Sequence, residues 1–164
     1  MEFKLKTIST EGIDAALAKA ELYRFLNEPE EAESICEDVL AVQPGHQLAL
    51  RTLGLALTDQ FTGTSSDRYA DAEKAFQQLA DKYERLYYTG LLHERRAKAQ
   101  LRANRPAHTV TVLLEDAMRN YEEAEHIRPT GNDDAILRWN RCARLLHSKL
   151  DSEWHREVGI EMGE

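Results

Sequence analysis

The chain is short of the residues that interrupt regular structure. Its 164 residues include 4 Pro and 8 Gly, too few for long loops or for a turn-rich β fold. Cysteine is scarcer still. Cys36 and Cys142 stand far apart, which excludes a disulfide framework and leaves buried free thiols in a reducing compartment as the expectation. No stretch approaches the ~18 apolar residues of a membrane span. The start, Met1-Glu2-Phe3-Lys4-Leu5-Lys6, lacks the apolar run of a signal peptide, so the cytoplasm is the expected compartment. Positive charge is also in deficit. A net charge of -8 argues against a nucleic-acid partner, because phosphates are bound by basic surface.

The charge is uneven. Residues 1–46 hold 4 Lys/Arg against 10 Asp/Glu, and residues 82–106 hold 7 against 2. Both runs read first as solvated helix faces.

What is present favours helix: Ala, Leu, Glu and Arg recur throughout. Punctuation predicts seven helices. The first runs from about Glu11 to Leu26 behind a Thr10 cap, and the second opens at Pro29 and ends before Pro44-Gly45. The third covers about 46–61. A polar loop with good caps, Thr62 to Asp67, leads into a fourth that reaches about Lys82. The fifth spans about 85–104, the sixth about 109–127, and the seventh about 133–149 behind an Asn132 cap. Phe3, Leu5 and Thr7 alternate with charges over too short a stretch to make a strand.

One spacing repeats. Ala32, Cys36, Val39 and Pro44 are separated by 4, 3 and 5 residues, and so are Ala117, Tyr121, Ala124 and Pro129. Ala72, Phe76 and Leu79 repeat the first two intervals, with Glu84 in the proline's place. The pattern has a packing logic. A small residue lets a helix approach its partner, a large group one turn on fills the space beside it, and the next apolar residue keeps the stripe on one face. The preceding helices carry small residues to match: Ala20, with Tyr23 three residues on, and Gly54 after Leu50 and Leu53. In the third unit the small residue is Gly90 or Ala97.

On these residues the chain resembles the tetratricopeptide repeat family over roughly residues 11–149. The resemblance implies an all-α fold: antiparallel helix pairs stacked as a short right-handed superhelix, about three repeats plus a C-terminal capping helix. Residues 1–10 would then be an N-terminal extension, 11–149 the repeat domain, and 150–164 a cap or tail. The family's unit is about 34 residues, whereas Ala32 to Ala72 is 40 and Ala72 to Ala117 is 45. Extra residues are therefore expected near 61–67 and 98–108. Trp139 stands where the fourth unit needs a small residue, so that unit reads as degenerate or as a cap.

The resemblance also implies a function. The first helices of the pairs line a concave groove that holds a protein or peptide segment, which makes the chain a non-catalytic adaptor or scaffold. Projecting the repeat places Arg24, Arg51, Thr52, Tyr87, Tyr88, Arg95, Asn140 and Arg144 in that groove. Arginines can pair with carboxylates in bidentate geometry, so an acidic or C-terminal segment is the expected ligand. One subset of the family clamps chaperone C-termini with Lys and Asn. Here the matching positions are Leu17, Glu21, Thr52, Glu84 and Tyr88, and chaperone binding is not expected. The rival within the same fold is a homo-oligomeric assembly module, such as a homodimer, whose groove is filled by the chain's own segment.

Catalytic and metal readings find little support. His93-Glu94 opens like a zinc-protease helix, but Ala97 stands at the second ligand position. His126, His147 and His155 have no ligand spacing. Cys142 has Arg141 and Arg144 for neighbours, yet a thiol on an amphipathic helix packs as a small hydrophobe. No phosphate loop or nucleophile elbow occurs. No enzyme activity, cofactor or metal is expected. In the tail, Trp154, Val158, Ile160 and Met162 are read as covering the last repeat or docking on another copy.

Overall fold

The computed structural model describes residues 1–150, with side chains to 148. The expectations for the tail that holds Trp154, Val158, Ile160 and Met162 lie outside the described residues. Among those described, seven α-helices and no strand are formed. They are α1 Ile13–Phe25, α2 Pro29–Val42, α3 Gln47–Asp59, α4 Tyr69–Gln77, α5 Lys82–Arg102, α6 Ala107–His126 and α7 Asp134–Leu145, which runs on into a π-helical stretch at Leu146–Leu150. None of these helices is long and apolar enough to cross a membrane.

Local chemistry sets the boundaries. Ser9, one residue before the expected Thr10, caps the entry to α1: its hydroxyl accepts from the Gly12 amide at 3.1 Å, and a 3-10 turn precedes the helix. Pro29 opens α2, where its missing N–H costs nothing. His46 Nδ1 accepts from the Ala49 amide at the start of α3. The expected junction of the fourth and fifth helices is corrected. α4 stops at Gln77, and α5 begins at Lys82 because the Asp81 carboxylate accepts from the Tyr83 amide.

The links between α1 and α2 and between α5 and α6 are the same device. Asn27 and Asn104 adopt left-handed φ values of 60° and 56°, which Asn tolerates better than most side chains. The next amide reaches back to close the helix, Glu28 to the Tyr23 carbonyl at 2.8 Å and Arg105 to that of Gln100 at 3.0 Å. A proline follows each turn, Pro29 and Pro106. Each helix therefore ends on a Schellman turn and cannot continue.

Contacts group the described residues into two compact units. The first comprises Met1–Phe61 and Arg68–Ala80, the second Thr62–Asp67 and the residues from Asp81 onward. In the first unit α1 packs on α2, α2 on α3 and α3 on α4, and α1 also meets α3. Its core gathers Ile13, Leu17, Ala20, Ala32, Cys36, Val39, Ala49 and Ala56. In the second unit α5 packs on α6 and α6 on α7, and α5 also meets α7. Its core includes Val110, Leu114, Ala117, Tyr121, Ala124, Ala135 and Cys142. The loop Thr62–Asp67 belongs there too: Arg105 Nε donates to the Gly63 carbonyl at 3.1 Å, and the Asp67 carboxylate accepts from the Thr62 and Gly63 amides.

Each unit contains one glycine against which a ring is seated. A Cβ on Gly54 of α3 would stand 2.3 Å from the Phe76 ring of α4, and one on Gly90 of α5 would stand 2.7 Å from the Tyr121 ring of α6. Both rings are fully buried. Of the two small residues considered on α5, Gly90 is the one that receives the ring, and Ala97 is buried two turns on. In an open helix Gly→Ala stabilises by about 1 kcal/mol. Here the added methyl has no room. Gly54→Ala and Gly90→Ala are each expected to lower stability by ~1–3 kcal/mol, read as a fall in the denaturant midpoint; a rise at either site contradicts the interlock.

Candidate functional site

The expected groove residues fall into both units, and each set is described within its own unit. On the α1–α3 side of the first unit, Arg24 is bound to Asp59. Its Nε donates to Oδ2 at 2.7 Å and its Nη2 to Oδ1 at 3.3 Å. This pair lines a shallow cleft with Glu21, Phe25 and Asn27. The guanidinium offered to an acidic ligand is thereby already matched by a carboxylate of its own chain. Arg51 is half-buried. Thr52 is 2% exposed and is corrected from the list of accessible residues, because it lies on the face of α3 that turns inward with Ala49 and Ala56.

In the second unit the tyrosines of α5 form a cluster. Tyr87 stacks near Tyr83 at 6.0 Å between centroids, meets Tyr88 edge-on at 5.0 Å and approaches Tyr121 at 5.8 Å. Tyr87 and Tyr88 are half-buried. Burial, then the nearby charge of Asp134, pushes the Tyr87 phenol up to about 12, so it stays neutral at neutral pH. Arg95 and Asn140 are half-buried and Arg144 is exposed.

Absent from the expected groove residues, but central to the second unit, is Glu94. It is fully buried, between Gly90 and Ala97 on the inward stripe of α5. Five donors converge on its two oxygens. Arg138 of α7 donates from Nε at 3.1 Å and also from Nη2, and Lys98 Nζ donates at 2.7 Å. The Tyr121 hydroxyl and the Cys142 thiol donate at 3.3 Å each. Burial works to raise the Glu94 pKa, but Arg138 and Lys98 overcome it and hold the carboxyl below its ordinary 4.5. Both carboxylate oxygens are thus engaged inside the fold, away from solvent. It is a structural knot that ties α7 to α5 and α6. The position was findable: residues 90, 94 and 97 share one helical face, and that face is buried.

A smaller counterpart exists in the first unit. Glu33 of α2, 8% exposed, accepts from Gln60 Nε2 at 2.8 Å and from Arg68, which also binds Asp71 at 2.9 Å. The two cysteines are buried. Burial, then Glu94, pushes the Cys142 thiol up to about 12, and burial does the same for Cys36. Neither is a thiolate at neutral pH, and the activated-thiol reading of Cys142 has no physical basis. Among the described residues, no three His, Cys, Asp or Glu side chains are placed to hold a metal ion.

Removing one member of a buried ion pair costs ~3–5 kcal/mol. Glu94→Gln is therefore expected to destabilise the chain by about 3 kcal/mol at neutral pH. The folded pKa of Glu94 lies below the unfolded one. Its contribution is then complete above about pH 4.5 and is lost as pH falls through the folded value. Urea melts across this range should show the gap between wild type and Glu94→Gln steady at neutral pH and closing in acid. A gap independent of pH contradicts an ionised Glu94.

Comparison of the chain with protein-family models, with curated protein sequences and with solved structures finds no match in any of the three.

Proposed function

We propose that the chain is a non-catalytic interaction module of the tetratricopeptide-repeat type, which holds a protein or peptide segment on the faces of its first helices. The observation that carries this reading is the recurrence of one building plan. An Asn–x–Pro turn links α1 to α2 and α5 to α6, and a glycine seats a ring between α3 and α4 and between α5 and α6. A plan repeated along a chain produces shape, and repeat proteins use shape to bind. The most reactive-looking groups support the same reading, since the Glu94 carboxylate and both thiols are committed to the core.

The second unit supplies the better-equipped face. Tyr87 and Tyr88 offer flat apolar area with hydroxyl tips, which suits peptide contact at low entropic cost. Arg95, Asn140 and Arg144 add donors for carboxylates and backbone carbonyls. In the first unit the half-buried Arg51 is the corresponding residue to test.

The test is affinity capture from the native cell extract, with the wild-type chain compared against Arg51→Ala, Tyr88→Ala and Arg95→Ala. Loss of one charge-assisted contact corresponds to roughly 1.5–3 kcal/mol, about tenfold or more in affinity. The expected result is a partner retained by the wild type and lost from at least one variant of unchanged melting temperature. Equal capture by all three variants contradicts the proposal.

A further inference from the structure

α1 and the Leu26 that follows it carry two apolar stripes, and among the described residues one of them packs into the core. Ile13, Leu17 and Ala20 face the core. On the opposite side Ala15, Ala18, Leu22, Phe25 and Leu26 are exposed, with the three large residues 52%, 87% and 54% accessible. Their spacing of 3, 4, 3 and 1 keeps them in line along the helix, in the arrangement by which one helix receives another. At its N-terminal half the stripe merges with a small, mostly apolar cleft between α1 and α2, lined by Ile8, Ala15, Ala16 and Ile35 together with the charged Lys19 and Asp38. The stripe is graded: alanines leave room at one end, and Leu22, Phe25 and Leu26 project at the other.

Charge selects the occupant. The exposed charged residues around the stripe are Glu11, Asp14, Glu21 and Glu28 against Lys19. Asp14 and Glu21 are seven residues apart and so run along one flank. A second copy of the chain would bring these like charges together, and an anionic surface would be repelled for the same reason.

We infer that the outer face of α1 is a docking surface for an amphipathic partner helix with basic residues beside its apolar stripe. Large anchors of that helix sit over Ala15 and Ala18, smaller ones over Leu22 and Phe25, and its Lys or Arg side chains meet Asp14 and Glu21. Its C-terminal end adjoins the cleft beside Arg24 and Asp59, which Glu21 and Phe25 also line, and Asp14, Ala15 and Ala18 carry it beyond the residues proposed above.

The experiment titrates the full chain with two synthetic peptides of about 18 residues, five helical turns. Both carry the same Leu/Ala stripe; one has lysine flanks and the other glutamate flanks. The expected result is saturable binding of the lysine peptide, weakened by salt, and at least tenfold weaker binding of the glutamate peptide. Leu22→Ser with Phe25→Ser should weaken the lysine peptide at least tenfold. Because both side chains are exposed, the melting temperature should not fall. Asp14→Lys with Glu21→Lys should shift the preference toward the glutamate peptide. Three outcomes overturn the inference: equal binding of both peptides, binding indifferent to Leu22 and Phe25, or a solution mass that doubles with concentration and reverts in the Leu22/Phe25 variant.

Discussion

Gly54 and Gly90 each lack the side chain that would hold two helices apart, and a ring occupies the space. Glycine inside a helix costs about 1 kcal/mol relative to alanine. Burying a Phe or Tyr side chain contributes roughly 1.5–3 kcal/mol, so the exchange favours the pair. The consequence is geometric as well as energetic. With Phe76 against Gly54 and Tyr121 against Gly90, each second helix has a defined register on its first. The polar partners of the same elements depend on that register. Tyr121 reaches Glu94 with its hydroxyl only because its ring is seated one turn away.

The buried carboxylates complete each unit where apolar contact stops. Glu33 links α2 to the end of α3 and the start of α4 through Gln60 and Arg68. Glu94 links α5 to α6 and α7. Removing charge from water is costly, and such pairs contribute less to stability than their geometry suggests. They favour one arrangement over its neighbours, because any shift leaves a charge unpaired in the core. Each unit is thereby held in one packing arrangement by its own buried carboxylate.

The helical content was legible because prolines and capping residues punctuate periodic apolar stripes. Pro29 and Pro44 marked α2 correctly, and the 4, 3 spacing picked out Phe76 and Tyr121 as buried rings. The α4–α5 junction was less legible, since a run of Gln, Leu, Ala and Asp without proline or glycine hides a cap at Asp81. The Asn–x–Pro turn is equally hard to read from sequence. It depends on a left-handed Asn, which composition does not reveal. The binding face was the least legible part. Helical projection locates a side chain on a face but not its partner, so it could not anticipate that Asp59 holds Arg24 or that Thr52 is buried. The part played by Glu94 is illegible for a different reason: a charged residue reads as surface until its counterions, 4 and 44 positions away, are brought to it by folding.

The central claim is that the glycine and the ring act as one interlocked element. A double-mutant cycle at Gly90 and Tyr121 tests it most directly, with Gly90→Ala, Tyr121→Leu and the pair compared by urea unfolding. The two residues touch, so coupling of about 0.5–3 kcal/mol is expected. The account predicts that Gly90→Ala destabilises the wild type and is neutral or stabilising once the ring is shortened. Additive effects of the two substitutions would contradict it.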